Sequence, residues 1–287
     1  MSQIWFITGA SSGFGLDLAL LALDAGHKVI GTVRSTSKAS DAVSAIKSKG
    51  AEVVELDVTK ADTIADVVEK ANAFYGGIDI LVNNAGYSLL GAVEDMKDEE
   101  AQLQMETNFF GPLRLIRGFL PTLRSRSSTG TTIVNVSSIA AQSPYPSCGL
   151  YSASKYALEG LSEALAQEIA PFNITTLIVE PGAFRTNFLS AVQKTETPLS
   201  EPYRGGPVEH LLGMFDSAQG KQRGDPGKAV KRVFEVVTGT GEAGGLKGKV
   251  LRLPLGPDCV GRIEGAMKKL QSDWDETREV AMGTDFD

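Results

Sequence analysis

Gln3-Ile-Trp-Phe-Ile-Thr8-Gly-Ala-Ser-Ser-Gly13-Phe-Gly15 runs from an apolar stretch through a cluster of glycines into a helical pattern near 13–25. A short apolar run closed by glycine reads as a buried strand. Gly9, Gly13 and Gly15 then stand between a strand and a helix, where glycine lets the backbone turn tightly and approach a pyrophosphate. The first amides of the helix supply donors to an anion. Ser11, Ser12 and Phe14 fall in the same turn and share in the expected phosphate cradle. A tight connection without a ligand is the plainer reading of any such turn, and the strand-to-helix setting favours the ligand.

The alternation continues outward from that turn. Strands are expected near 3–8, 28–33, 52–56, 79–83, 131–136, 174–179 and 249–253, with helices near 13–25, 37–49, 60–75, 98–124, 149–171 and 226–238. Apolar runs alternating with longer helical patterns indicate an α/β fold, a parallel sheet covered on both faces. Ile133–Val136 and Ile174–Val179 are short and rich in β-branched residues, so they suit central strands. From about 183 to 227 the periodicity fails, broken by Pro198, Pro202, Pro207 and Gly205-Gly206, which predicts a mobile insertion serving as a lid over the substrate. The glycine-rich segment 238–248 reads as a flexible turn. Val260, Ile263, Met267, Leu270 and Trp274 then form one apolar stripe on a last helix near 257–281, destined for the core or for a subunit contact.

Composition narrows the functional classes. The 287 residues are 42% apolar and 22% charged, enough for one large globular domain. A net charge of −7 argues against nucleic acid or an anionic membrane as partner and for a small molecule. No run approaches a membrane span, and the first strand begins at once, so a cytoplasmic protein is expected. Cys148 and Cys259, with His27 and His210, lack metal-ligand spacing, and no metal is expected. Each cysteine is either a reactive thiol or a small apolar packing residue.

Tyr151 and Lys155 stand four residues apart in Tyr151-Ser-Ala-Ser-Lys155, thirteen residues after Ser138. On a helix that step puts both side chains on one face, where a cation eases deprotonation of a phenol. With Gly-x3-Gly-x-Gly at the first turn, Asn83-Asn-Ala-Gly86 after the fourth strand and Pro181-Gly182 after the sixth, the chain resembles the short-chain dehydrogenase/reductases from Gln3 to about Thr186. Thr32-Val-Arg34-Ser and Leu251-Arg-Leu-Pro-Leu-Gly256 are similar to its hydroxysteroid and retinol dehydrogenase branch.

The resemblance implies a Rossmann-like, doubly wound sheet of seven parallel strands with a nicotinamide dinucleotide across its carboxyl edge. At the end of the second strand an acidic residue normally holds the adenosine ribose. Val33 occupies that slot here and Arg34 follows, a planar cation suited to a 2′-phosphate, so NADPH is expected over NADH, with Ser35 and Lys38 assisting. By resemblance Asp57 and Val58 meet the adenine and Asn84, Ala85 and Gly86 pass along its ribose. Asp57 could equally cap the helix that follows. Pro181, Gly182, Phe184 and Thr186 fall where the family holds the nicotinamide carboxamide.

The resemblance also assigns a catalytic tetrad. Tyr151 is the acid or base, its pKa lowered by Lys155 and the oxidised nicotinamide; Lys155 also holds the nicotinamide ribose, Ser138 orients the carbonyl and Asn108 anchors a water. The expected reaction is NADPH-dependent reduction of a ketone or aldehyde, with a redox-neutral enzyme or a dinucleotide sensor as the alternative. Leu89, Leu90, Tyr145, Phe184, Phe188 and Met214 lie on expected carboxyl-edge loops and suggest a hydrophobic substrate, with the core as the equal alternative for each. By family habit a homodimer or homotetramer is expected through the helices near 98–124 and 149–171, with Phe109, Phe110 and Leu113 at the contact or in the core.

Overall fold

The computed structural model describes residues 2–218 and 220–286. Its order is β1 (Ile4–Ile7), α1 (Gly13–Asp24), β2 (Lys28–Val33), α2 (Ser40–Lys47), β3 (Glu52–Glu55), α3 (Ile64–Tyr75), β4 (Ile80–Asn83), β5 (Leu89–Leu90), α4 (Asp98–Met105), α5 (Gly111–Ser125), β6 (Thr131–Val136), α6 (Gly149–Ile169), β7 (Ile174–Pro181), β8 (Gln193–Lys194), α7 (Pro207–Ala218), α8 (Pro226–Thr238), β9 (Arg252–Leu255) and α9 (Pro257–Met282). Seven strands form one sheet in the order β3-β2-β1-β4-β6-β7-β9, every pair parallel.

Strand periodicity builds the two layers. Trp5, Ile7, Val29, Ile80, Val82 and Val134 pack on one face with residues of α1 and α8. Their neighbours Phe6, Ile30, Leu81 and Ile133 pack on the other with residues of α3, α5 and α6. Successive side chains point to opposite faces of a strand, so adjacent apolar residues belong to different cores. Phe6 and Phe119 meet at 4.7 Å between ring centroids in the second. The strand order reverses between β1 and β4, which opens a crevice at the carboxyl ends of the strands.

Four expectations need correction. The helix expected over 98–124 is interrupted by a π turn at Glu106–Phe110, and Phe109 is half-buried and Phe110 exposed, with Leu113 half-buried, so none is a core residue. The 183–227 segment is not irregular throughout, because it holds β8 and the 12-residue α7. The glycine-rich 238–248 segment wraps Glu235, whose carboxylate accepts from Ala243 N–H at 3.1 Å. The stripe on α9 is not core: Val260, Met267, Leu270 and Trp274 are exposed.

The insertion has its own anchors. Its ends are joined where Arg185 N–H donates to Gly224 O (3.0 Å), Gly224 N–H to Ala183 O (3.2 Å) and the Arg185 guanidinium to Gln222 O. Its middle docks on the segment after β4. There β8 pairs with β5, Tyr203 donates to Glu94 (2.8 Å), Lys97 pairs with Glu196 and Ser200 N–H reaches Asp95.

Candidate active site

Gly9 and Gly13 hold φ values of +68° and +53°, left-handed conformations that favour glycine. Gly15 is needed for a different reason. A Cβ there would come within 2.5 Å of Asn84 Nδ2 and closer still to the Gly9 carbonyl oxygen. The Asn84 amide itself donates to Thr8 O (2.9 Å) and Gly9 O (3.3 Å), and the Thr8 hydroxyl accepts from Asn84 and Ala85 N–H at 2.9 Å each. Thr8 and Asn84 therefore stitch the ends of β1 and β4 together beneath the turn. Thr8 was absent from the expected site although it opens the glycine motif.

The start of α1 fits a phosphate. Ser12 makes no side-chain cap and the first turn carries no acid, so its amide donors face neither a competing hydroxyl nor a carboxylate of that turn. Ser11 is exposed beside it, Phe14 packs edge-to-face on Phe184 at 5.3 Å, and a Cβ on Gly13 would meet Thr186 at 3.5 Å. Asp258, on the first turn of α9, accepts from Ala183 N–H at 2.7 Å and fills the space beside Gly182, while Pro181 ends β7. Phe184 is thus a half-buried prop of the cradle rather than a freely exposed substrate contact.

Arg34 leaves the end of β2 exposed, with no hydrogen bond or ion pair to another described residue. Ser35 caps the following turn by accepting from Lys38 N–H at 3.4 Å, and Lys38 is exposed beside it. Glu55, the acid nearest in register, is engaged by the backbone and hydroxyl of Thr36 at 2.6 and 2.7 Å. Asp57 accepts from Thr59 N–H and hydroxyl, closing a turn, and does not cap the helix that follows, which begins after Lys60. Val58 is buried, and a Cβ on Gly111 would come within 2.8 Å of its side chain.

Tyr151, Lys155 and Ser138 meet at the carboxyl end of β6, all buried. Lys155 donates to Val136 O at 2.8 Å and lies 5.9 Å from the Tyr151 ring centroid. Burial pushes the phenol up to about 12, with Ser138 acting to lower it. Among the chain's own groups, desolvation of the phenolate outweighs the neighbouring hydroxyl. Burial likewise pushes the Lys155 ammonium down to about 8, opposed by Glu159.

Asn108 is fully buried in the π turn. Its amide donates to Tyr87 O and Ser154 Oγ at 3.0 Å each, and its Oδ1 accepts from Tyr87 N–H at 3.2 Å. Pro112 has no N–H, so the Asn108 carbonyl lacks its usual i+4 helical donor. A Cβ on Gly86 would stand 3.1 Å from Asn108 Oδ1 and 3.5 Å from Lys155 Nζ, so Gly86 lies against both.

Of the expected substrate contacts, Leu89 and Leu90 form β5 and are almost wholly buried, because β8 covers them. Phe188 lies 6.1 Å from the Tyr151 ring and is partly exposed, Tyr145 stacks on the Arg262 guanidinium at 3.5 Å, and Met214 is exposed on α7. Sequence reasoning missed a buried network behind the tetrad. Ser137 donates to Glu159 at 2.5 Å, and Arg252 bridges Glu159, Glu163 and Glu180. Glu180 is pushed up to about 7 by burial and by Glu159, with Arg252 acting in the other direction. The adjacency of Ser137 to Ser138 was the one available signal. Among the described residues no cluster suited to a metal ion occurs, and no helix is long and apolar enough to cross a membrane.

Known proteins are similar to this chain in sequence and fold. The family described as short chain dehydrogenase matches residues 3–197. An oxidoreductase of Passalora fulva, claN, is 50% identical over 213 residues, 74% of this chain and 95% of that protein. A short-chain dehydrogenase from Streptomyces avermitilis superposes with a TM-score of 0.87 at 39% identity over 99% of this chain and 98% of its own. Solved structures of more distant similarity hold either dinucleotide. A metagenomic short-chain oxidoreductase binds NADP (32% identity, TM-score 0.60, covering 64% of this chain and 85% of its own). A 3-ketoacyl-(acyl-carrier-protein) reductase from Brucella melitensis binds NADH (26%, 0.71, covering 88% and 96%). With the glycine turn, Asn108, Ser138, Tyr151 and Lys155 all inside the matched residues, the chain belongs to the short-chain dehydrogenase/reductase family of oxidoreductases.

Proposed function

We propose that this chain is an NADP-dependent carbonyl reductase acting on a hydrophobic ketone or aldehyde, with Tyr151 as general acid. The observation that carries the reading is the juxtaposition of Tyr151, Ser138 and Lys155 in one buried corner beside the glycine cradle. A bound reduced nicotinamide would supply the hydride. Arg34 and the uncapped α1 terminus would hold its phosphates, and Lys155 its ribose. Ser138 orients the carbonyl oxygen, and Tyr151 donates its phenolic proton as that oxygen gains charge. A phenol held near 12 by burial stays protonated at neutral pH, ready to donate. Asn108, fixed by its three hydrogen bonds, offers its backbone carbonyl as an anchor for a water that restores the proton through Lys155. Phe188 and the stacked Tyr145 favour an apolar substrate.

The test is NADPH oxidation by wild type and Tyr151→Phe against a panel of ketones, aldehydes and quinones, with NADH in parallel. Turnover should fall on the order of a hundredfold or more in the variant. Near-full activity of Tyr151→Phe would remove the assignment. Substrate conversion without net loss of NADPH would replace it with redox-neutral chemistry on the same residues.

A further inference from the structure

The last 16 residues of α9, from Met267 to Met282, touch nothing that shields them: every described residue from Met267 onward is exposed. At 1.5 Å per residue this part of the helix projects about 24 Å from the body. Isolated helices of this length are marginal in water, and Gly261 and Gly265 each cost about 1 kcal/mol relative to alanine inside the helix. A projecting helix of this kind needs a partner to remain formed.

Its apolar residues are spaced for a particular one. Val260, Ile263, Met267, Leu270 and Trp274 follow alternating steps of three and four, and at 100° per residue they fall within about 80° of arc. That is the narrow seam of a coiled coil, not the wider stripe of a helix lying on a globular core. Small Thr277 and Ala281 continue the same positions. Exposures of 64% at Met267, 71% at Leu270 and 59% at Trp274 leave the seam uncovered in a single chain.

The flanking charges choose the occupant. Asp258, Glu264, Asp273, Asp275, Glu276 and Glu279 outnumber Arg262, Lys268, Lys269 and Arg278 on α9, which disfavours an anionic lipid surface. Beside the seam stand Glu264, Asp273 and Arg278. In a parallel pair Arg278 lies opposite the partner's Asp273, and in an antiparallel pair centred on Gln271 it lies opposite the partner's Glu264. Self-pairing in either direction therefore sets a cation against an acid.

We propose that α9 pairs with α9 of a second copy of this chain, forming a two-stranded coiled coil through Val260, Ile263, Met267, Leu270 and Trp274. This contact is separate from any made by α5 and α6, and it does not depend on the proposed reaction.

The test is the mass of the intact protein by light scattering and sedimentation, for wild type and Leu270→Glu. Leu270 touches neither the core nor the cradle, so the variant should keep its NADPH oxidation while its assembly mass falls twofold. A monomeric wild type, or equal masses for the two, would overturn the pairing. So would wild type binding to neutral phosphatidylcholine vesicles with no change of mass between the two proteins. Should Leu270→Glu misfold, Leu270→Cys provides a second arm. Cys148 and Cys259 are buried, so a covalent dimer formed on mild oxidation would report the new thiol at the seam, and its absence would count against the pairing.

Discussion

Under the proposed function, Arg34 is a side chain that selects the dinucleotide without contributing to the fold. It is exposed and without a partner among the described residues, while the nearest acid, Glu55, is held by Thr36. Replacing it with alanine should leave the melting temperature unchanged and weaken NADPH binding by about tenfold or more, the size of a lost charge-assisted contact, with NADH binding little altered. Fluorescence titration with both dinucleotides checks this, and equal losses for the two would remove the assignment. Arg34 can be singled out in the sequence because a slot in a motif can be counted, and the structure leaves it exposed at the end of β2. The state of Tyr151 was not legible in the same way. The motif names the cations that would lower its pKa, Lys155 and a bound oxidised nicotinamide, whereas the burial that raises it is set by packing that a linear pattern does not contain.

At the scale of elements, periodicity located the strands and most helices, since burial on both faces of the sheet leaves short apolar runs between longer amphipathic ones. It did not reveal the π turn at Glu106–Phe110, because one extra residue in a helical turn barely disturbs an apolar pattern. Pro112 was the local clue. Within that turn Asn108 bonds to Tyr87 and Ser154 and so joins α6 to the segment after β4. Asn108→Ala leaves buried partners unsatisfied and should destabilise the protein by about 1–3 kcal/mol, as well as lowering turnover. Denaturant unfolding with stopped-flow assay of the same samples separates the two effects. Unchanged stability would mean that water replaces the side chain. Leu89 and Leu90 escaped correct reading for a related reason: their cover, β8, comes from about a hundred residues along the chain.

At the scale of the whole molecule, a long-range tie that the sequence did not disclose joins α6, β7 and β9. Arg252 lies between Glu159 and Glu180, both nearly inaccessible to water. Removing the cation in Arg252→Ala should cost roughly 3–5 kcal/mol, measured as a lowered melting temperature, because two buried carboxylates lose their counter-charge. The Glu180 pKa is raised from 4.5 to about 7, so the folded protein holds a proton that the unfolded chain releases across that interval. Its contribution to stability is therefore complete below the unfolded value and is lost as pH rises through about 7. Melting temperature should decline across that window, more steeply in Arg252→Ala, and a flat profile for both would place the proton elsewhere. The insertion between β7 and α8 belongs to the same scale. Its two ends are fastened to each other at Ala183, Arg185, Gln222 and Gly224 before the chain re-enters the sheet architecture. Because those ends already coincide, lengthening or exchanging what hangs between them adds little closure entropy and asks nothing of the strands. The segment is thus a detachable cassette: natural variation, or a designer, can rewrite it while the sheet and the buried residues at its carboxyl edge are inherited unchanged.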